Sequence, residues 1–130
     1  MASIEGSQAP MAYVVDDDEA VRDSTCLLLK SADIAAVECG SADAFLEVFD
    51  PDIAGCILLD LHMPGMSGLE LLELMQSRGV KTPVIVISGR MDPLLNDLVK
   101  RAGAMAILNK PSGDDELLAL VRQAFSLRGR

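Results

Sequence analysis

Tryptophan is absent from this chain, and aromatic residues amount to only 3% of it, so any core has to be aliphatic. Basic runs are absent too. The formal net charge is -9, which disfavours direct nucleic-acid binding and anionic membrane surfaces, because phosphate backbones are held by clustered Lys and Arg. The cysteines number three, Cys26, Cys39 and Cys56. Without a C-x-x-C spacing they read as reduced, mostly buried small apolar residues rather than a disulfide framework or a metal site. No apolar run approaches the roughly 18 residues of a membrane span. The first ten residues lack the charged and apolar regions of a signal peptide. A cytoplasmic location is therefore expected.

What is present is an ordered series of apolar runs, each ending in polar chemistry. Met11-Ala12-Tyr13-Val14-Val15 runs into Asp16-Asp17-Asp18. Cys56-Ile57-Leu58-Leu59 ends in Asp60, and Val84-Ile85-Val86-Ile87 ends in Ser88-Gly89. Ala104 to Leu108 leads into Asn109-Lys110-Pro111.

Helical patterns alternate with these runs. The first carries Val21, Thr25, Leu28 and Leu29 on its inner face. After a short edge strand near Ile34-Cys39, Ser41 caps a helix with Phe45, Leu46 and Phe49. Ser67-Gly68-Leu69-Glu70 fits a capping box, and Gly79 marks the stop of the helix it opens. Asp92-Pro93 fits an N-cap and first turn, with Leu95, Leu98, Val99 and Ala102 inward. A last helix, opening at Ser112 to Asp115, carries Leu117, Leu118, Val121 and Phe125. Continuously apolar strands alternating with helices predict one α/β domain with a parallel sheet covered on both faces. The expected bounds are a loose tail at 1-10, the domain at 11-126 and a short tail at 127-130.

In such a sheet the ligand crevice lies beyond the carboxyl ends of the strands. Asp16, Asp17 and Asp60 would meet there as an acidic pocket. Each close like-charge pair costs about 1–4 kcal/mol, depending on the local dielectric. A divalent cation removes that cost, and oxygen-only ligands with open coordination positions favour Mg2+. The other groups suit a phosphoryl group. Asp60 would be the nucleophile that forms an acyl phosphate, and Asp16 and Asp17 would hold the metal. Lys110 would supply counter-charge, Ser88 a hydroxyl and Gly89 a close backbone amide.

Taken together, these blocks resemble the receiver domain of bacterial two-component response regulators. The likeness rests on Val14-Val15-Asp16-Asp17-Asp18, on Leu58 through Gly68, on Pro83 through Gly89, on Ala102-Gly103-Ala104 and on Lys110-Pro111. Within that family the Ser-Gly turn and the Met-Pro-Gly-Met-Ser-Gly loop look most like receivers fused to helix-turn-helix transcription factors. The resemblance implies a flavodoxin-like sheet ordered 2-1-3-4-5. It also implies Mg2+-dependent phosphorylation of Asp60 by a histidine kinase or a histidine phosphotransfer protein, as in a phosphorelay. Asp17 and Asp60 would then bind Mg2+ directly, Asp16 through water, and the backbone carbonyl of His62 would complete the protein ligands. The His62 and Arg90 side chains would modulate the phosphoryl lifetime. A homodimer through the face of helix four, strand five and helix five is a further implication, with Asp97, Lys100 and Arg101 as rim contacts.

Two positions depart from the family pattern. Ile107 stands where receivers usually carry an aromatic switch, and Ser112 stands where Phe often follows Lys-Pro. A cis bond is expected at Lys110-Pro111. The rival readings are a pseudo-receiver acting only through protein contacts, and an Asp-nucleophile phosphohydrolase. The latter wants a second acid two residues after the nucleophile, where this chain has His62. The output would be a partner protein or an effector domain, and the short ending after the last helix favours a single-domain regulator.

Overall fold

The structure, a computed structural model, describes residues 9–89, 92–110 and 113–128. Five strands and five helices alternate. They are β1 (Met11–Val15), α1 (Glu19–Ser31), β2 (Ala35–Cys39), α2 (Ala42–Val48), β3 (Gly55–Asp60), α3 (Gly68–Ser77), β4 (Val84–Ser88), α4 (Pro93–Arg101), β5 (Ala106–Asn109) and α5 (Asp114–Arg128). All pairings are parallel, and the order is β2-β1-β3-β4-β5. This is the flavodoxin-like arrangement expected from the sequence. Among the described residues, no helix is long and apolar enough to cross a membrane.

Side chains alternate across each strand, and both faces are buried, so the apolar runs are continuous. Tyr13, Val15, Ile57, Leu59, Val84 and Val86 pack on one face with Phe45, Leu71, Leu72, Met75 and Val99 of α2, α3 and α4. Ala12, Val14, Cys56, Leu58 and Ile85 pack on the other with Leu29, Leu117, Val121 and Ala124 of α1 and α5. The scarce aromatics are concentrated on the first face. The Tyr13 ring meets Phe45 and Phe49 edge-on, each at a centroid distance of 5.4 Å. The Tyr13 hydroxyl accepts the Asp50 amide at 3.2 Å.

Three helix starts follow their sequence signals: Ser41, Ser67 and Asp92 cap, and Ser67 and Glu70 close the full capping box. Asp18, read only as part of the acidic triplet, caps α1. Other details differ from expectation. Phe49 is the cap of α2 rather than part of it. β2 begins at Ala35, because the Ile34 amide is already committed to the Leu29 carbonyl at the end of α1. β5 begins two residues late, because Ala104 still bonds back to Val99 in α4. Leu98 does not face inward. It is 39% exposed and Leu94 is 71% exposed, because the inner stripe of this short helix runs through Leu95, Val99 and Ala102. Cys39 and Cys56 are buried and Cys26 half-buried, all three as free thiols. Pro111 and Ser112, with the expected cis junction, lie outside the described residues.

Gly68 is where packing shapes the site. A Cβ there would lie 2.7 Å from Leu61 Cα and closer still to the Asp60 carbonyl oxygen. Only a glycine lets the start of α3 press against the backbone that follows β3, where its amide donates to the Leu61 carbonyl at 3.0 Å. Replacing it forces backbone apart rather than a flexible side chain. Gly68→Ala is expected to cost about 1–3 kcal/mol of stability, the usual range for overpacking. Urea denaturation of the two proteins checks this, and equal midpoints would show that the contact relaxes freely.

Candidate functional site

The parallel register brings the polar strand ends to one level. Val15 pairs with Leu59, so Asp16 falls beside Asp60. Asp60 in turn pairs with Ile87, just before Ser88. Ser88 pairs with Asn109, and its carbonyl accepts the Lys110 amide at 2.9 Å. Four strands thus deliver one acidic residue, a second, a hydroxyl and an ammonium to the carboxyl edge of the sheet.

Carboxylate oxygens of Asp16, Asp17 and Asp60 all lie within 4.8 Å of one another. Asp16 and Asp60 are buried, at 6% and 8% exposed, while Asp17 is exposed. Asp18 is turned to another task. Its carboxylate accepts the amides of Ala20 and Val21 at 3.0 and 3.3 Å, capping α1 and complementing the helix dipole. The Lys110 ammonium lies 3.6 Å from Asp16 Oδ2 and 4.0 Å from Asp60 Oδ1. Among the described residues, one cation therefore serves two buried anions, with a third beside them.

That imbalance shows in Asp60. Burial and then the Asp16 charge push its carboxyl above the ordinary value. The Lys110 ammonium and the His62 backbone N–H, which donates to it, pull it down less, and Asp17 adds to the upward push. The donor set is oxygen-only, crowded and anionic, which suits a hard divalent cation such as Mg2+.

The remaining expected residues are placed as follows. Ser88 is fully buried. The space above Gly89 is open, the nearest atom to a Cβ there being Lys110 Cβ at 3.8 Å. His62 is exposed. Ile107 is half-buried against the core on the α4 side of the sheet. Arg90 lies outside the described residues. A cavity of about 330 Å³ borders Asp16, Asp60 and Lys110 and is walled by Val21, Thr25 and Leu28 of α1 and Leu117 of α5. The carboxylates therefore face open space.

Sequence reasoning missed Arg22. Its Nη1 donates to the Asp16 carbonyl at 2.8 Å, and its Nε lies 3.4 Å from Glu38 Oε1. Its only signal was its position one turn after the Asp18 cap.

A five-stranded parallel sheet ordered 2-1-3-4-5, with acids, a hydroxyl and a lysine gathered at its carboxyl edge, defines the class of protein. The sequence comparisons then define the family. The profile of the response regulator receiver domain matches residues 12–122, and the chain belongs to that family. It is 44% identical over 113 residues to the transcriptional regulatory protein FixJ of Azorhizobium caulinodans, covering 87% of this chain and 54% of that protein. It is 36% identical over 121 residues to the response regulator protein TodT of Pseudomonas putida, covering 92% and 53% respectively. The chain thus spans about half the length of these relatives. Among solved structures, the response regulator StyR superposes with a TM-score of 0.87 at 35% identity, covering 94% of this chain and 62% of that one. FixJ-N superposes with a TM-score of 0.82 at 35% identity, covering 92% and 96%.

The raised carboxyl of Asp60 has a consequence for stability. The native protein holds that proton more tightly than the unfolded chain. The Asp60 contribution is therefore fully present below the ordinary carboxylate range and is lost as pH rises through the raised value. Without metal, Asp60→Asn is expected to be more stable than wild type at pH 7.5, by of the order of 1 kcal/mol. The advantage should shrink toward pH 4 and on addition of Mg2+. Thermal denaturation of both proteins in chelator and in Mg2+ checks this, and an Asn variant no more stable than wild type at pH 7.5 would refute it.

Proposed function

We propose that this chain is a phosphoacceptor, taking a phosphoryl group on Asp60 from a histidine kinase or a histidine phosphotransfer protein in a Mg2+-dependent reaction. The observation that carries this reading is the packing of three carboxylates within 4.8 Å beside a single lysine. Such a site is destabilised as it stands and is completed by a cation and a phosphoryl group.

An Asp60 oxygen attacks phosphorus while the bond from phosphorus to the donor nitrogen breaks. The imidazole leaves and takes up a proton, and Asp60 becomes an acyl phosphate. Asp16, Asp17, Asp60 and the His62 carbonyl are the groups that would hold Mg2+, with Asp16 acting through water. The bound cation would neutralise charge on the phosphoryl oxygens. Lys110 exchanges its pairing with Asp16 and Asp60 for the phosphoryl oxygens, and the Ser88 hydroxyl and Gly89 amide donate to them.

The output follows from the same groups. Movement of Ser88 and Lys110 pulls on the ends of β4 and β5 and repacks Ile107 against α4. An aliphatic side chain there shifts packing but brings no hydroxyl to a new partner. FixJ is named a transcriptional regulatory protein. On that likeness the controlled element is a transcription-regulating domain or partner. The exposed Leu94 and Leu98 make the α4 face the contact surface for it or for a second copy. Asp97 and Arg101, expected at its rim, pair with each other at 3.0 Å and leave the leucines as the apolar contacts.

Incubation with Mg2+ and acetyl phosphate should add one labile phosphoryl group by intact mass. It should add none to Asp60→Asn, and none when Mg2+ is chelated. Failure of the wild type under every donor would overturn the reading. By the family likeness, the His62 and Arg90 side chains are assigned to modulating the lifetime of the acyl phosphate. Replacing both by Ala is expected to change the dephosphorylation rate, followed by loss of the phosphorylated mass with time. An unchanged rate removes them from that role.

A further inference from the structure

We propose that Arg22 is the positioning residue of the acidic pair, setting Mg2+ affinity through the backbone of Asp16 rather than through its charge. This rests on the phosphoacceptor reading above. Asp16 is pinned on three sides. Its amide donates to the Cys39 carbonyl at 3.1 Å, at the end of β2. Its carboxylate accepts the Asp18 amide at 2.9 Å. Its carbonyl accepts Arg22 Nη1 at 2.8 Å. That carbonyl and the Asp17 amide belong to one planar peptide unit. Fixing the carbonyl therefore fixes where the Asp17 Cα sits. Asp17 is exposed and lies on a turn, where little packing holds it.

The guanidinium is suited to this work. It is a planar fork with several donors, and here it spans two partners, the Asp16 carbonyl through Nη1 and Glu38 through Nε. Its side chain is only 17% exposed, against 43% for Glu38. Glu38 therefore orients the fork more than it contributes energy. Gly40 leaves the space, since a Cβ there would lie 3.3 Å from Nη1. Arg22 is itself anchored, its amide bonding at 3.0 Å to the carbonyl of Asp18, the cap of α1. Cap, fork and strand end form one rigid loop under the metal-holding carboxylates.

The sign of the effect separates positioning from electrostatics. A positive charge near the site opposes cation binding, so loss of charge alone would tighten Mg2+. Loss of the hold on the peptide would weaken it. Calorimetric titration of the full chain with Mg2+ is therefore expected to give Arg22→Ala a Kd raised about tenfold, the scale of lost outer-shell support in metal sites. Arg22→Lys keeps the charge but cannot span both partners, and should also bind more weakly than wild type. It carries the test if the alanine variant does not fold. Leu29→Val, which destabilises the same helix from the core, should leave the Kd unchanged, so that general loosening is not the cause. An unchanged or tighter Kd in both Arg22 variants overturns this proposal alone, as does an equal loss in Leu29→Val. A wild type that binds no Mg2+ overturns the phosphoacceptor reading and this proposal with it.

Discussion

Like-charge crowding at the carboxyl edge of the sheet is the constraint around which the rest is arranged. Asp16 and Asp60 sit on adjacent strands at one level, both almost fully buried, with Asp17 in reach of both. In water these carboxylates would separate. Here the parallel ladder between β1 and β3 holds them together, because separating them would break strand pairing in the middle of the sheet. Lys110 offsets part of the repulsion, and burial first, then the repulsion that remains, keep the Asp60 carboxyl raised. Stability is given up locally at the place where the proposed cation and phosphoryl group would bind.

The fold can carry that strain because its two cores are large relative to its site. Each face of the sheet is covered by aliphatic helices, and three of the four aromatic rings, Tyr13, Phe45 and Phe49, cluster under α2, on the edge away from β4 and β5. The β4–β5 edge is packed differently. α4 contributes a single fully buried side chain, Val99, and keeps two leucines in solvent. The better-anchored part of the molecule thus lies beside β1 and β3, which hold the acids. The more lightly packed part lies beside the strands that carry Ser88 and Lys110. A shift at those two residues meets less resistance on the α4 side than it would under α2.

Much of this was legible in the linear chain. Asp60, Ser88 and Lys110 each follow their own apolar run, and residues at such positions converge once the strands are known to be parallel. The caps were legible because a side-chain oxygen followed by free amides is a local pattern that needs no partner from elsewhere. Leu98 was not, because a helical period identifies a stripe but not its width. Where α4 is covered by few neighbours, only the centre of the stripe is buried. The start of β5 was obscured because Ala104 suits either a turn or a strand, and its bond back to Val99 decides. Arg22 was invisible because an arginine on the first turns of a helix looks like any solvated charge until β2 brings Glu38 and Gly40 beside it.

The sequence alone therefore determined the alternation of elements, the two-sided burial of the sheet and the residue types present at its carboxyl edge. These depend on local propensity and on the spacing of apolar residues. Tertiary structure alone decided which carboxylates share one site, that Lys110 stands between two of them, and that β2 brings Glu38 beside the arginine that holds the Asp16 carbonyl. Those outcomes depend on strand register and on contacts between residues far apart in the chain, which no local pattern encodes.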